Sequence, residues 1–449
     1  MKILKFLFIG AIGTAWSLYA QRCTIQGPET SAPEKQRVTL DDAIAFALTH
    51  RSSLNDLMFA SKSQRNNALA ALSGYLPQIS IYSRFLSAKD RAIPKNQQYI
   101  YIDQLLFSFA GPVEQYRIEK IGSHIAELGA LFHSDEIRYE TENSFFNLYL
   151  LQTLIAPVST FEIAATAQLR KAELSNDQGL LNSFLFEKER GSYGYALSKI
   201  FNYEEQMTIS KTNLTRALQA EQPVLIDMTN ARYAISETLN TITHLPYDED
   251  FFKEAAHNLR KDLAIKDQEI AQHAQLKQLK EKSYLPSASL YADIATGQPA
   301  LAVGLRQLPG NFWQAGIQFN WNFDGLGNVH RAAAEEASLQ AAIFAKRDKE
   351  LSIEQEVSNA YHELQQLKKE LDANCTDQSP EELFLQQKKR YEVGDISETE
   401  YKQALYEWNK AQYDVHNLEV KTVLKYKELL FKSGYPQIDN PSSTQSRQS

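Results

Sequence analysis

The side chains best suited to chemistry are scattered along this 449-residue chain rather than gathered. Nine histidines occur, none in a His-Glu-x-x-His arrangement and none beside a cysteine cluster, so each reads as a helix-surface residue rather than a ligand. Two cysteines, Cys23 and Cys375, are too few for a disulfide framework or a four-ligand zinc site, and nothing in the sequence places them together. No serine stands in a Gly-x-Ser-x-Gly elbow. Gly325-Leu326-Gly327 looks like the start of a dinucleotide fingerprint, but His330 fills the third glycine position and no βαβ unit surrounds it. It reads as a strand-to-helix turn. Asp41-Asp42 suits a helix first turn, where negative charge complements the macrodipole, better than acid/base catalysis. The expectation is a protein with no catalytic residue, no cofactor and no metal.

Composition narrows the alternatives. Apolar residues make up 43%, charged residues 23% and aromatics 11%, enough for a core and incompatible with wholesale disorder. The net charge of −8 leaves no basic footprint, so no nucleic-acid partner is expected. With only 18 Gly and 14 Pro, long uninterrupted helices are favoured. Lys2 and Lys5 precede an apolar run from Phe6 to Trp16 and then Ser17-Leu18-Tyr19-Ala20, the pattern of a secretory signal peptide cleaved after Ala20. Cys23 follows Arg22, whereas an acylated cysteine normally follows a small residue. No later segment reads as a transmembrane helix; the most apolar, Phe145 to Val158, carries Asn147, Gln152 and Thr153.

The elements repeat. Tyr75-Leu76-Pro77 aligns with Tyr284-Leu285-Pro286, Phe109-Ala110-Gly111 with Phe323-Asp324-Gly325, Arg117 with Arg331, and Gly179 with Gly394. The slowly drifting offset is that of a duplicated domain with small loop insertions, and the period is too long for a solenoid. Each copy predicts a helix, a hairpin, a very long helix, a turn and a helix. The first helix, opening at Val38-Thr39-Leu40, is expected to run to Gly74; Gly111-Pro112 starts the long helix, with a kink at Pro157, and Leu180–Leu218 forms the return helix. The domain reading is 1–20 signal peptide, 21–37 N-terminal segment, 38–245 first repeat, 246–434 second repeat and 435–449 disordered tail.

Two periodicities then point to function. From Trp313 to Phe323 every odd residue is apolar (Trp313, Ala315, Ile317, Phe319, Trp321, Phe323) and every even one is Gly, Gln or Asn. Ala288, Leu290, Ala292 and Ile294 alternate likewise, while the segments Gln78–Ser87 and Gln98–Phe107 alternate less cleanly. Uncharged alternation with terminal aromatics fits a lipid-facing barrel wall around water, yet four strands cannot close a barrel alone, so this reading demands an oligomer. In the helices, Ile353, Val357, Ala360, Leu364, Leu367 and Leu371 follow a 3.5-residue period. So do Ile118 to Phe132 and Ala404 to Leu418: coiled-coil packing, aided by small contacts from Ala332 to Ala345. The competing class is an exported coiled-coil structural or adhesive protein whose strands pair in water.

From about Val38 to Gly434 the chain resembles the TolC family of outer-membrane efflux proteins. The resemblance rests on the Leu40–Leu48 helix start, the paired Tyr-Leu-Pro steps, Phe323-Asp324-Gly325 before a long helix, and Arg390-Tyr391-Glu392-Val393-Gly394-Asp395-Ile396-Ser397. It implies a mainly α fold with a β-barrel part. Three protomers share a 12-stranded outer-membrane barrel continued by a periplasmic α-helical barrel. The implied role is the passive duct of a tripartite efflux or type I secretion system in a Gram-negative outer membrane. Its partners would be itself as a homotrimer, outer-membrane lipid, a periplasmic adaptor (membrane fusion) protein and an inner-membrane pump of RND, ABC or MFS type. By the same resemblance, Gly179, Leu180, Gly394, Asp395, Ile396 and Ser397 belong to an adaptor-docking tip, and Tyr391, Glu400 and Gln403 to a periplasmic aperture. Three positions depart from the family pattern: Gln403 where a second acid is expected, Ile396 where a basic partner can occur, and Leu185 where the first repeat can carry an Asp.

Overall fold

The computed structural model describes residues 37–85, 96–222, 224–244, 247–296, 311–321, 326–375 and 379–435. The signal segment, residues 21–36 with Cys23, Phe323 and the tail after Tyr435 lie outside the described residues.

Helix α1 (Leu40–His50) begins where the Thr39 hydroxyl accepts the Asp42 N–H, with Asp41 and Asp42 in its first turn. The expected run to Gly74 is interrupted: Arg51 is extended (φ −69°, ψ 114°), and α2 (Ser52–Leu72) starts afresh. Distant partners make that break tolerable. The Gln219 side chain accepts from Ser52 N at 2.9 Å and donates to Ser52 Oγ at 3.0 Å, while Arg51 pairs with Glu140 at 2.6 Å. A local helical pattern carries no trace of these contacts. The second half breaks the same way, α7 (Glu249–Leu259) giving way to α8 (Lys261–Lys282) at Arg260, φ −67° and ψ 122°.

The long helix also divides, into α3 (Pro112–Thr153) and α4 (Ile155–Asp177), with Leu154 between them. The break thus lies three residues before the expected Pro157 kink. Proline lacks an N–H and its ring crowds the carbonyl four residues back, that of Thr153, so the distortion falls upstream of the ring. One window within Pro112–Asp177, of mean hydropathy 1.4, does pass a length-and-composition test for a membrane span, contrary to the sequence expectation. Only 28% of that window is buried, although Phe145, Phe146, Leu148, Tyr149 and Leu150 of α3 pack against α1, α5 (Ser183–Leu218), α6 (Met228–Thr243) and α11 (Glu398–Ser433). A second core joins Phe252 and Leu263 to Ile353, Val357, Ala360 and Leu364 of α9 (Gly327–Cys375), the residues spaced for coiled-coil packing, and to Leu429 of α11.

Side by side, α2, α3, α8 and α9 form one four-helix wall. Below it α5, α4, α11 and α10 (Ser379–Glu392) form another. At 1.5 Å per residue the 66 residues of Pro112–Asp177 extend about 100 Å. Beyond the upper wall lies a four-stranded antiparallel sheet ordered β2 (Gln78–Phe85), β3 (Asn96–Ser108), β5 (Ser287–Thr296), β6 (Asn311–Asn320). A two-residue parallel pairing of β1 (Arg37–Val38) with β4 (Leu225–Ile226), not foreseen in the sequence, ties the N-terminal segment beside α6.

Candidate channel surfaces: sheet, wall edges and helical tips

The register of the sheet sorts its side chains into two faces. Ile294 opposes Trp313, Ala292 opposes Ala315, Leu290 opposes Ile317 and Ala288 opposes Phe319. Ile79 and Ile81 continue that face through Ile102 and Ile100. No other described residue covers it: Trp313 is 78% exposed and Phe319 75%, with Ile79, Ile81 and Ile317 exposed as well. The expected strand therefore projects Trp313, Ala315, Ile317 and Phe319 outward together. It ends at Asn320, and Trp321 follows it with its indole N–H donating to the Tyr284 carbonyl at 2.9 Å. The opposite face carries Ser80, Tyr101, Asp103, Ser289, Tyr291, Asp293, Gln314 and Gln318. It is crowded enough that Ser289 and Asp293 are buried, Gln314 donates to Asp293 at 2.6 Å, and the Tyr291 ring lies over Gly316. One face suits hydrocarbon and the other suits water. Both edge strands, β2 and β6, have only one neighbour each in the described residues.

The helical walls are open-edged too. Met58, Phe59 and Leu69 lie exposed on α2, and Val329, Phe344 and Leu351 on α9. The alanine stripe read as small contacts is exposed at Ala333, Ala334, Ala337 and Ala341.

At the far end, two helix-turn-helix tips stand side by side through α4 and α11. In the first, Gly179 adopts φ +68° and the Leu180 N–H reaches the Ser175 carbonyl at 2.8 Å. In the second, Gly394 adopts φ +83° and the Asp395 N–H reaches Arg390 at 2.8 Å. Both are Schellman caps, which require a left-handed residue and hence glycine. Leu180 is 76% exposed and Val393, next to Gly394, is 84% exposed. Ile396 is half-buried, and Asp395 pairs with Arg390 at 3.0 Å.

Glu400 does not stand free. Its carboxylate accepts from Ser397 N at 2.7 Å and Ser397 Oγ at 2.8 Å, while the Glu400 N–H donates back to Ser397 Oγ at 3.3 Å: a capping box for α11. The hydrogen bonds from Ser397, with Lys171 and Arg390 nearby, hold its pKa below the usual value. Ser397-x-x-Glu400 was visible in the sequence as a capping signature, and that local role was missed. Gln403 donates to Glu407 at 3.0 Å. Tyr391 is joined to no polar network in the described residues; its ring stacks on Tyr401 with centroids 4.6 Å apart. Phe384 stacks on Trp408 at 4.9 Å and faces Tyr401 at 6.2 Å, so an aromatic ladder holds α10 to α11.

The comparisons agree with this geometry. Residues 254–430 match the family model of outer membrane efflux proteins. No curated protein sequence matches the chain. Its fold is that of solved outer-membrane channels. The CmeC outer membrane channel of Campylobacter jejuni is 14% identical with a TM-score of 0.67, over 94% of this chain and 93% of that one. CusC is 14% identical with a TM-score of 0.66, over 90% and 99%. The open-state MtrE outer membrane channel of Neisseria gonorrhoeae is 13% identical with a TM-score of 0.63, over 88% and 89%.

Proposed function

We propose that this protein is the outer-membrane duct of an efflux system, three copies closing into one tube through which cargo passes without chemistry in the duct itself. The observation that carries the reading is the uncovered apolar face of an open-edged sheet, continuous with about 100 Å of helix. In water such a face would be a large exposed hydrophobic patch; in a bilayer it is the ordinary outside of a barrel. β2 and β6 run in opposite directions, so β6 of one copy meets β2 of the next antiparallel for any number of copies. Two copies would give an eight-stranded barrel whose interior side chains fill; three give twelve strands and room for water.

The same reading assigns the aperture to the tips, where threefold symmetry would gather Glu400 into a ring of three carboxylates facing the constriction. Tyr391 and Gln403 would lie beside it. The exposed Leu180 and Val393 beside Gly179 and Gly394 favour a tip that docks an adaptor largely through apolar contacts. An inner-membrane pump would drive the cargo, and the 38–245 and 246–434 halves would be copies of one duplicated unit. The matching breaks at Arg51 and Arg260 support that duplication.

Imaging the protein extracted from outer membranes in mild detergent tests this. The expected particle is a threefold tube about 130 Å long, from about 100 Å of helix and 30 Å of strand. A water-soluble, unsymmetrical rod would overturn it.

A further inference from the structure

The two outer seams of the upper wall are built differently. Along α2 the buried residues are Leu54, Ser61 and Ala68, one every seven positions, and α3 beside it buries Ile118, Gly122, Ser123 and Ala130. That is the spacing of coiled-coil packing. α8 buries only Leu263, and the stretch of α9 that runs beside it, from Gly327 to Ser352, buries no residue at all.

Charge takes the place of that apolar seam. Asp262 of α8 faces Lys349 of α9 at 3.2 Å, Asp267 faces Lys346 at 2.6 Å, and Lys277 pairs with Glu336. The signs reverse together along the two antiparallel helices, acid to base on α8 and base to acid on α9. His273 faces Glu335 at 3.6 Å between the second and third of these rungs. Both ends of α8 are fastened to α3 in the same way, Lys261 to Asp135 at 2.5 Å and Lys282 to Glu114 at 3.5 Å. Hydrogen bonds from Lys277 and Gln340 hold the Glu336 pKa below its ordinary value, and the bond from Lys346 to Asp267 raises that of the lysine. These groups therefore stay charged at neutral pH, where screening is what can weaken the rungs. Ions can reach them: the side chains run from 13% exposed at Asp262 to 55% at Asp267.

We propose that α8 is a salt-released latch in the wall. At low ionic strength its rungs hold it between α3 and α9; at high ionic strength it loosens while α2 and α3 stay packed. One exposed ion pair contributes little, but several acting on a helix with a single buried residue amount to about tenfold in its local opening equilibrium. Arg260, buried just before α8, is screened much less and keeps the start of the helix in place. The ladder is complete within one chain and goes beyond the duct reading. In the proposed tube α8 is an inner member of the wall, so its release would loosen the wall within each copy; that consequence alone rests on the duct reading.

The test is hydrogen exchange of the full-length protein in mild detergent, read by mass spectrometry at about 20 mM and about 500 mM sodium chloride. Between these the Debye length falls from about 20 Å to about 4 Å. Peptides spanning 264–280 and 330–350 should exchange about tenfold faster in the high salt, and peptides spanning 55–70 and 115–130 should not. Lys277→Gln with Lys346→Gln should bring the low-salt exchange of α8 close to the high-salt value and remove most of its salt response. Exchanging the signs of one rung separates pairing from the loss of a side chain: Asp267→Lys should speed exchange at low salt, and adding Lys346→Asp should slow it again. Exchange of α8 that ignores salt, an equal rise in the α2 and α3 peptides, or a sign exchange that restores nothing overturns the proposal. A protein that forms no threefold tube would refute the duct and leave this comparison valid.

Discussion

Removing the Arg260 guanidinium should loosen the joint between α7, α8, α9 and the end of α11. The side chain is buried, 7% exposed. Its Nε and one terminal nitrogen donate to Asp262 at 2.9 and 2.6 Å, and the other terminal nitrogen reaches Glu356 at 3.2 Å and the Lys432 carbonyl at 3.1 Å. Arg260→Met leaves Asp262 with Lys349, at 3.2 Å, as its remaining cation and strips the Lys432 carbonyl of this donor. Breaking a buried pair from one side costs about 3–5 kcal/mol, and Lys349 puts this case at the lower end, about 3 kcal/mol. That is roughly a hundredfold in a local opening equilibrium. Hydrogen exchange of peptides spanning 255–265 and 425–435, read by mass spectrometry in detergent, would report it. Asp262→Asn and the double variant complete a cycle, the double costing clearly less than the sum of the singles. Burial alone would raise the Asp262 pKa, but hydrogen bonds and charge from Arg260, with Lys349, hold it below the ordinary 3.8. Its contribution is therefore complete above that value and is lost only as pH falls through the lower folded one, so the cycle should give the same coupling at pH 5 and pH 7. Additive costs, or exchange unchanged in both peptides, would refute the clamp.

Three further outcomes are expected. Gly394→Ala and Gly434→Ala both force a side chain into left-handed backbone, φ +83° and +64°, but only the second drives its Cβ to 2.9 Å from the Arg260 backbone nitrogen. Gly394→Ala should cost about 1 kcal/mol and Gly434→Ala clearly more, seen as a larger fall in melting temperature. Ser397→Ala should remove about 1 kcal/mol of capping from α11 and raise proteolysis at the tip. The depressed Glu400 pKa means that the wild-type cap is intact above the ordinary 4.5 and frays as pH falls through the lower folded value, measurable as increased nicking in acid. Phe319→Asp should hinder membrane assembly by up to about 2 kcal/mol, depending on depth, and outer-membrane fractionation of a fully assembled variant would refute the lipid-facing assignment.

What could be read from residues alone followed the range of the forces involved. The two-residue alternation through Trp313, Ala315, Ile317 and Phe319 needs only neighbouring residues, and the strand lies where it was expected. The 3.5-residue spacing of Ile353, Val357, Ala360 and Leu364 likewise marks a buried seam. The breaks at Arg51 and Arg260 were invisible because Gln219, Glu140 and Glu356 stabilise them from far along the chain. At the tip the sequence showed which residues lie together but not their bonds, so the capping box between Ser397 and Glu400 was not foreseen.

In the proposed trimer the sheet and the walls share their edges, which would make closure one event rather than two. α2 leads through Leu76-Pro77 into edge strand β2, and edge strand β6 leads into α9, which borders the same wall. One side of the protomer is therefore α2 and β2 along its length, and the other is β6 and α9. A neighbour that pairs β6 with its β2 is thereby placed with α9 against its own α2, which would cover Val329, Phe344 and Met58 in the same step. The exposed alanines of α9 let that approach be close, since only a methyl group separates the backbones there. Ala337→Glu, which puts a long charged side chain on that seam without touching a buried position in the single chain, should leave helix content intact while shifting detergent-extracted protein from trimer to monomer. Pairing of the strands should fail with it, because the edge of β6 then has no aligned partner. Trimers that persist in this variant would show that the helical seam does not run through Ala337, and the shared-edge argument would fall.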